Sequence, residues 1–233
     1  ALCARCHPAQ NLPAGGKHDF TGRPQLKNGR DRTAAQTGTC GFCHAVHNAN
    51  GPMMWVATSQ RPATPDALCT GCHGENGPAA AQSGGRLLHP AGPSTADRLR
   101  ATKAELPLFA ENGERSPRGF LACATCHDPH AGPDKSPGML RAGAAPVANS
   151  LCTDCHRETA YLNVSLHKPA LLGAYAGADR VCGPCHAVHA QPGVRTTDMW
   201  AGPLGPSTDV PAMRRCAGCH SAGGGAPPPP CTS

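Results

Sequence analysis

Residues 40–47 read CGFCHAVH, residues 123–130 read CATCHDPH and residues 182–189 read CGPCHAVH. Each stretch has two cysteines separated by two residues, a histidine directly after the second cysteine, and another histidine three residues later. Four further C-x-x-C-H units lack the closely following second histidine. The seven units together contain 14 of the 15 cysteines in a chain of 233 residues, so this repeated unit dominates the fold.

The histidine directly after each cysteine pair distinguishes between the possible roles of the paired cysteines. Zinc sites also use C-x-x-C pairs, but tetrahedral zinc does not require a histidine after every second cysteine. A disulfide framework or a thioredoxin-like redox pair leaves the seven histidines unexplained. When haem c is attached, two thiols add to the haem vinyl groups and the adjacent imidazole binds iron from one face. The pattern therefore predicts seven covalently bound haem c groups.

We number the units, and the haem predicted at each, from 1 to 7 in chain order. The attaching cysteines are Cys3 and Cys6, Cys40 and Cys43, Cys69 and Cys72, Cys123 and Cys126, Cys152 and Cys155, Cys182 and Cys185, and Cys216 and Cys219. The proximal iron ligands are His7, His44, His73, His127, His156, His186 and His220.

Six spare histidines complete the total of 13, and we interpret them as distal ligands. They are His18, His47, His89, His130, His167 and His189. Neutral imidazole is the commonest metal ligand, and these residues follow the repeat. If each H-x-x-H forms one helical turn, its Cβ atoms are only about 5–6 Å apart, so its two rings must bind different haems. Such a turn would hold two haems on the order of 10 Å apart.

One distal position has no histidine. In units 1 and 5 the lone histidine follows the first cysteine by 15 residues, and the same count from Cys216 gives Cys231. A thiolate can bind haem iron, which makes Cys231 a candidate distal ligand. An odd cysteine is also typical of a free thiol or an intermolecular disulfide. Met213, the Ala1 amine, water and an open site are the alternatives at this iron.

A methionine follows each H-x-x-H at a similar distance, in GPMMW, PGML and TDMW. We expect these residues, Met54, Met139 and Met199, to pack against haem faces.

The composition predicts a fold that lacks a large apolar core. Aromatic residues make up 3% of the chain, while 28 glycines and 25 prolines interrupt helices and strands. We therefore expect a mostly irregular multihaem cytochrome c fold, with short α-helices beginning at each C-x-x-C-H, little or no β-sheet, and porphyrins in the interior. Inside the longest haem-free stretch, 74–121, the sequence predicts one helix, Thr95–Leu106, with Thr95 as its N-cap.

The units alternate between two kinds of half-repeat. The first cysteines of units 2 and 3 are 29 residues apart, as are those of units 4 and 5, which is the fixed period of stacked units. We divide a single seven-haem unit, 1–233, into a half-repeat 1–39 and repeats 40–122, 123–181 and 182–233.

Charge and hydropathy exclude two classes of partner. The formal charge of the chain is +6. The propionates and ferric irons of seven haems would change the net charge to about −1, and reduction of the irons would change it to about −8. The charge therefore gives no support for binding to nucleic acid. No apolar stretch approaches the ~20 residues of a transmembrane helix. Because the first unit starts at Cys3, we expect that a signal peptide has been removed and that the protein is exported.

The alternation of C-x-x-C-H-x-x-H with units followed by His89-Pro90 or His167-Lys168-Pro169 resembles the doubled CXXCH motif cytochromes. These multihaem c-type cytochromes include electron carriers and extracellular cytochrome nanowires. The resemblance implies bis-histidine haems in a continuous chain, a periplasmic or extracellular location, and a homopolymer with inter-subunit haem contacts. By analogy with the filament members, His18 is the candidate for a ligand donated to the neighbouring subunit.

Two functions remain open. The first is a pure electron carrier, either a filament subunit or a discrete periplasmic shuttle, that serves redox partner proteins or extracellular acceptors and is not an enzyme. The second is a reductase of a small nitrogen or sulfur compound at the haem that lacks a distal histidine. A reductase needs an accessible iron and convergent polar residues, and roughly 33 residues per haem leave little protein to build such a pocket.

Overall fold

The structure is a computed structural model. It describes residues 2–10, 12, 15–49, 51–56, 65–80, 87–99, 105–131, 139–141, 150–157, 186, 188, 189 and 199. The helices are α1 Leu2–Cys6, α2 Ala34–Cys43, α3 Pro65–His73, α4 Ala96–Leu99, α5 Cys123–Cys126 and α6 Ser150–Thr153. Two 3-10 turns, Pro8–Gln10 and Pro93–Thr95, accompany them. The described residues contain isolated β-bridges and no strands, which agrees with the irregular, helix-poor fold expected from the sequence.

Among the described helices, three end at the second cysteine of a unit, and only α5 begins at a first cysteine. The prediction that helices begin at each C-x-x-C-H is therefore wrong for α3, which starts several residues earlier, whereas the second part of α2, after the break at Gly38, begins next to Cys40. The α2 helix begins after Thr33, whose backbone N–H donates to the Gln36 side chain at 3.0 Å. It is interrupted at Gly38, whose φ of 73° favours glycine.

The chain leaves α2 and α5 through the same return turn. His44 and His127 cap the two helices in extended conformation and form antiparallel bridges with Trp55 and Leu140. An H-x-x-H on one helical turn is therefore also wrong, because the helix has already ended at the first of the two histidines.

The methionines of the repeat have one backbone conformation in common. Met54, Met139 and Met199 all adopt positive φ, between 55° and 59°. The side chain of Met54 is 45% exposed, and its predicted packing against a haem face stays a prediction.

Carboxylates join elements that are distant in sequence. Asp66 of α3 accepts a 2.7 Å hydrogen bond from the backbone N–H of Cys123, at the start of α5. Asp154 of unit 5 accepts hydrogen bonds of 2.9 and 3.0 Å from the backbone N–H groups of Glu105 and Leu106. The bond to Asp66 satisfies a free N–H in the first turn of α5, and those to Asp154 satisfy two donors outside regular structure.

Of the buried apolar residues in the described part of the chain, most lie in the insertion 74–121 and the residue that follows it. One cluster contains Leu99, Leu108 and Leu121, and a second contains Phe109, Phe120 and Ala122. Phe109 and Phe120 pair across an antiparallel bridge with hydrogen bonds of 3.1 and 2.8 Å. The insertion is thus a small apolar body, which the composition did not predict.

The helix predicted at Thr95–Leu106 is shorter in the structure. It covers Ala96–Leu99, residues 100–104 lie outside the described residues, and Glu105 and Leu106 are not helical. Thr95 does not act as a side-chain N-cap. Its buried hydroxyl donates to the Gly92 carbonyl at 2.7 Å and accepts from the Leu121 N–H at 3.1 Å, which fastens the start of the helix to the apolar body.

Candidate functional site

Histidine rings from different units face each other in pairs. Among the described residues there are four such pairs, each joining a proximal histidine to one of the spare histidines. The ring centroids are 6.1 Å apart in His18–His73, 6.3 Å in His44–His130, 6.1 Å in His89–His156 and 6.1 Å in His127–His189. The angles between the ring planes are 69°, 15°, 70° and 48° in the same order.

Each pair joins two units that are separated by one other unit in the chain. The lone histidines His18 and His89 face the proximal histidines of units 3 and 5. In the H-x-x-H units the direction is reversed, because His130 and His189 face the proximal histidines of units 2 and 4. The pairs therefore bring together units that are two apart in the chain, in all four cases.

The separation of the rings fits two axial ligands on one metal ion. A metal–imidazole bond of about 2.0–2.1 Å on each side, with about 1.1 Å from each nitrogen to its ring centre, places the ring centres about 6.2 Å apart. Tetrahedral zinc takes four ligands, whereas a haem iron has two axial positions. The described residues contain no group of three or more His, Cys, Asp or Glu side chains that could hold a metal ion.

Hydrogen bonds at Nδ1 fix the tautomer of several of these rings. The Nδ1 atoms of His18, His44 and His89 lie 3.4, 2.9 and 2.8 Å from the carbonyl oxygens of Pro129, Met53 and Pro90, respectively. A carbonyl oxygen can only accept, so Nδ1 carries the proton and Nε2 keeps a lone pair for a metal. Burial lowers the pKa of His18, His130 and His189, which favours the neutral, ligating form.

Aromatic side chains position two of the rings. Trp55 stacks on His44 at 4.9 Å with an angle of 23°, and Phe20 lies 5.6 Å from His18. Phe20 in turn packs on Phe42 of α2 at 4.7 Å. The ring of His18 is thus supported by the helix that carries unit 2.

Thiols of successive units lie next to each other. Burial raises the pKa of Cys40, with a further contribution from Cys3, and the nearby thiol of Cys69 raises the pKa of Cys123. Burial raises the pKa of Cys43 to about 12, with Cys72 and Cys69 of unit 3 contributing. Burial raises the pKa of Cys126 to about 11, with a further contribution from Cys155 of unit 5.

Cysteines of units that follow one another along the chain, from unit 1 to unit 5, therefore lie near each other. The ten cysteines that the structure describes are all free thiols, so these contacts are not disulfides.

The sequence matches one family model. The doubled CXXCH motif matches residues 33–78 and 118–161, and each match covers two C-x-x-C-H units. The chain carries the doubled CXXCH motif of multihaem c-type cytochromes. This motif implies covalently bound haem c and a role in electron transfer. Comparisons with curated proteins and with solved structures found no match.

Two histidines in the described part of the chain have no facing imidazole there. His7 and His47 are exposed, and neither side chain has a hydrogen bond or ring contact among the described residues. His186 is also exposed. The predicted ligands and attachment residues His167, Cys182, Cys185, Cys216, Cys219, His220 and Cys231 lie outside the described residues.

One expectation from the resemblance to filament cytochromes needs correction. His18 was the candidate for a ligand donated to a neighbouring subunit, but its half-buried ring faces His73 of the same chain. The expectation that the two histidines of an H-x-x-H serve different haems fits the observed pairs, although the helical premise was wrong. His127 faces His189, whereas His130 faces His44.

Two side chains of the site were missed from the sequence. Asp128 lies between the two histidines of unit 4, and Arg141 reaches it from the return turn at 3.2 Å. The signal was present in the repeat, because unit 4 reads CHDPH where units 2 and 6 read CHAVH.

No helix in the described part of the chain has the length and apolarity to cross a membrane.

Proposed function

We propose that this chain is a heptahaem c-type cytochrome that conducts electrons through a continuous row of haems and assembles into filaments. It would act in the periplasm or outside the cell, between redox partner proteins and extracellular acceptors. The same chemistry in a discrete shuttle is the alternative form. Haem iron supplies a one-electron couple between Fe(III) and Fe(II) when bound.

The four imidazole pairs carry this proposal. In each pair one ring belongs to a C-x-x-C-H unit and would be the proximal ligand, while the facing ring would be the distal ligand. Extension of the two-unit step predicts that His167 serves the haem at His220. Because histidine side chains of the chain would supply both axial ligands, these haems would have no site for a substrate, as expected of a carrier.

The chain also positions its attachment thiols in a row. Cysteines of units 1 and 2, 2 and 3, 3 and 4, and 4 and 5 are near enough to shift each other's pKa. The hydrogen bond from Cys123 N–H to Asp66 fixes unit 4 against unit 3. Attachment points that lie near each other support electron transfer between the haems of consecutive units.

His47 supports the filament form. Of the five spare histidines that the structure describes, four face a proximal ring, and His47 is the fifth, exposed and without a ring contact. Its backbone is held, because the Arg30 side chain donates to the His47 carbonyl at 2.9 Å and also to the Asn48 carbonyl. We therefore replace His18 with His47 as the ligand offered to an iron of the neighbouring subunit.

Intact mass measurement combined with pyridine haemochrome analysis tests the cofactor content. We expect seven covalently attached haems per chain. A value far below seven would contradict the proposal.

Negative-stain electron microscopy of the purified haem protein tests the filament. Wild type should form long uniform fibres, and His47→Ala should not. His89→Ala is the matched control, because it also removes a spare histidine but one whose pairing is within the chain, so its fibres should persist. Monodisperse wild-type particles would rule out the filament and leave the shuttle.

The exposed ring of His7 favours one second candidate, a reductase at haem 1. No ring opposes His7 within the described residues, so a small molecule would have access to an iron held there. Catalytic reoxidation of the reduced protein by nitrite or sulfite would support this activity, and a lack of turnover with either would exclude it for these substrates.

A further inference from the structure

Two charged residues of unit 4 stand where unit 2 has apolar residues. Asp128 follows the proximal histidine of unit 4 where Ala45 follows that of unit 2. Arg141 stands two residues after the methionine of unit 4, where Val56 stands in unit 2. A small apolar pair has thus been replaced by an acid and a base.

The backbone shows that these positions are equivalent in space. In both units the residue after the proximal histidine donates to the methionine carbonyl, and the second residue after the methionine donates to the carbonyl of the second cysteine. The bonds are Ala45 N–H to Met54 O at 2.7 Å, Asp128 N–H to Met139 O at 2.7 Å, Val56 N–H to Cys43 O at 2.9 Å, and Arg141 N–H to Cys126 O at 2.8 Å.

The new side chains converge on the distal histidine of the same unit. Asp128 Oδ1 accepts the backbone N–H of His130 at 3.0 Å and lies 3.5 Å from its ring Nδ1. Asp128 Oδ2 lies 3.2 Å from Arg141 Nη1. Arg141 is held by a 2.6 Å bond from Nε to the Ala124 carbonyl, and only 16% of its side chain is exposed. The Arg141 guanidinium therefore contacts the Asp128 carboxylate, which in turn lies beside the His130 imidazole.

This arrangement distinguishes His130 from the other rings. His18, His44 and His89 face neutral backbone carbonyls at Nδ1, whereas His130 faces a carboxylate. A carboxylate partner orients a ligating imidazole and raises its basicity more than a neutral acceptor does. A more basic ligand and a nearby negative charge both favour Fe(III) over Fe(II).

We propose that Asp128 is a positioning residue that orients His130 and lowers the reduction potential of the haem shared by His44 and His130. Arg141 holds the carboxylate in place and offsets part of its charge. This inference rests on the proposed function, because it requires that the facing rings of His44 and His130 ligate one iron. It predicts that the reduction potential of haem 2 is lowered by side chains of unit 4 that have no counterpart in unit 2.

A spectroelectrochemical titration of the intact haem protein tests the inference with two variants of opposite sign. Asp128→Asn keeps the size of the side chain but removes its charge, so the haem 2 component should become easier to reduce. A tenfold change in its Fe(III)/Fe(II) equilibrium corresponds to about 59 mV for a one-electron couple. Arg141→Gln leaves the carboxylate unbalanced, so the same component should become harder to reduce.

Two controls distinguish an effect on the reduction potential of haem 2 from a general disturbance of the structure. Asp128→Ala restores the residue found in unit 2 and should shift the potential in the same direction as Asp128→Asn. Asp31→Asn removes an exposed carboxylate that pairs with Lys27, and it should shift no component. The low-spin ferric spectrum of haem 2 should keep its intensity in both Asp128 variants but change its electron paramagnetic resonance g-values.

The outcomes are distinguishable. If every haem titrates reversibly and neither Asp128 variant nor Arg141→Gln moves any component, the inference is wrong and the proposed function stands. Shifts in the same direction for Asp128→Asn and Arg141→Gln would reduce the pair to a structural role and also overturn it. A wild-type protein without a bis-imidazole spectrum would overturn both.

Discussion

The insertion and the haem-binding units hold their structure by different means. In the insertion, Leu99, Leu108 and Leu121 form one apolar cluster, and Phe109 pairs with Phe120 in another. The C-x-x-C-H units instead bring together imidazoles and thiols, which are polar groups that a packed interior accepts only with partners. The comparison shows that apolar packing dominates in the insertion, with Ala124 and Cys155 of the neighbouring units against it, whereas the units bring together the groups that the doubled CXXCH motif uses to bind haem.

Phe120→Ala should cause the largest change. Phe120 is buried at 5% exposure, and truncation of a core phenylalanine costs about 3–5 kcal/mol. We expect faster amide hydrogen exchange through residues 105–122, with the low-spin haem spectrum largely retained. Leu2→Ala is the control, because Leu2 is 82% exposed and its loss should leave exchange unchanged. A collapse of the haem spectrum in Phe120→Ala would show that the two regions are not separate.

Thr95→Val should have an intermediate effect within the same region. The substitution keeps the shape of the side chain but leaves the Leu121 N–H without its acceptor, which costs about 1–3 kcal/mol. Urea unfolding monitored by the exchange of residues 92–122 would measure this loss. An unchanged midpoint would mean that the hydroxyl does not fasten Gly92 to Leu121.

The smallest change is predicted in a haem-binding unit. Met139 has φ 56°, and left-handed backbone costs a side-chain-bearing residue about 1–2 kcal/mol, partly offset by the greater entropy that glycine loses on folding. Met139→Gly should therefore be neutral or slightly stabilising in thermal unfolding. Clear destabilisation would indicate that the methionine side chain packs against a haem, as its recurrence suggested.

The sequence identified which histidines stand outside the C-x-x-C-H units, but it did not identify which rings they face. Spacing identified His18 and His130 as spare histidines, but His18 makes its Nδ1 contact with Pro129, 111 residues away. Such a contact depends on how the units stack, and no local periodicity encodes it. The irregular, helix-poor fold followed from glycine and proline content, because these residues interrupt both kinds of regular structure.

The apolar body of the insertion could have been found. Leu108-Phe109 and Phe120-Leu121 flank Asn112-Gly113, and an Asn-Gly turn between apolar segments is a hairpin signal. The helical H-x-x-H failed for a different reason. After the second cysteine, the backbone pairs with the methionine turn, and that tertiary contact overrides the local preference for another helical turn.

The most direct test of the central claim is an experimental structure of the haem-loaded protein by cryo-electron microscopy. We expect Nε2 atoms of His18 and His73 on opposite sides of one iron, and the same for His44 with His130, His89 with His156, and His127 with His189. Irons whose two axial ligands come from other combinations of residues would contradict the account.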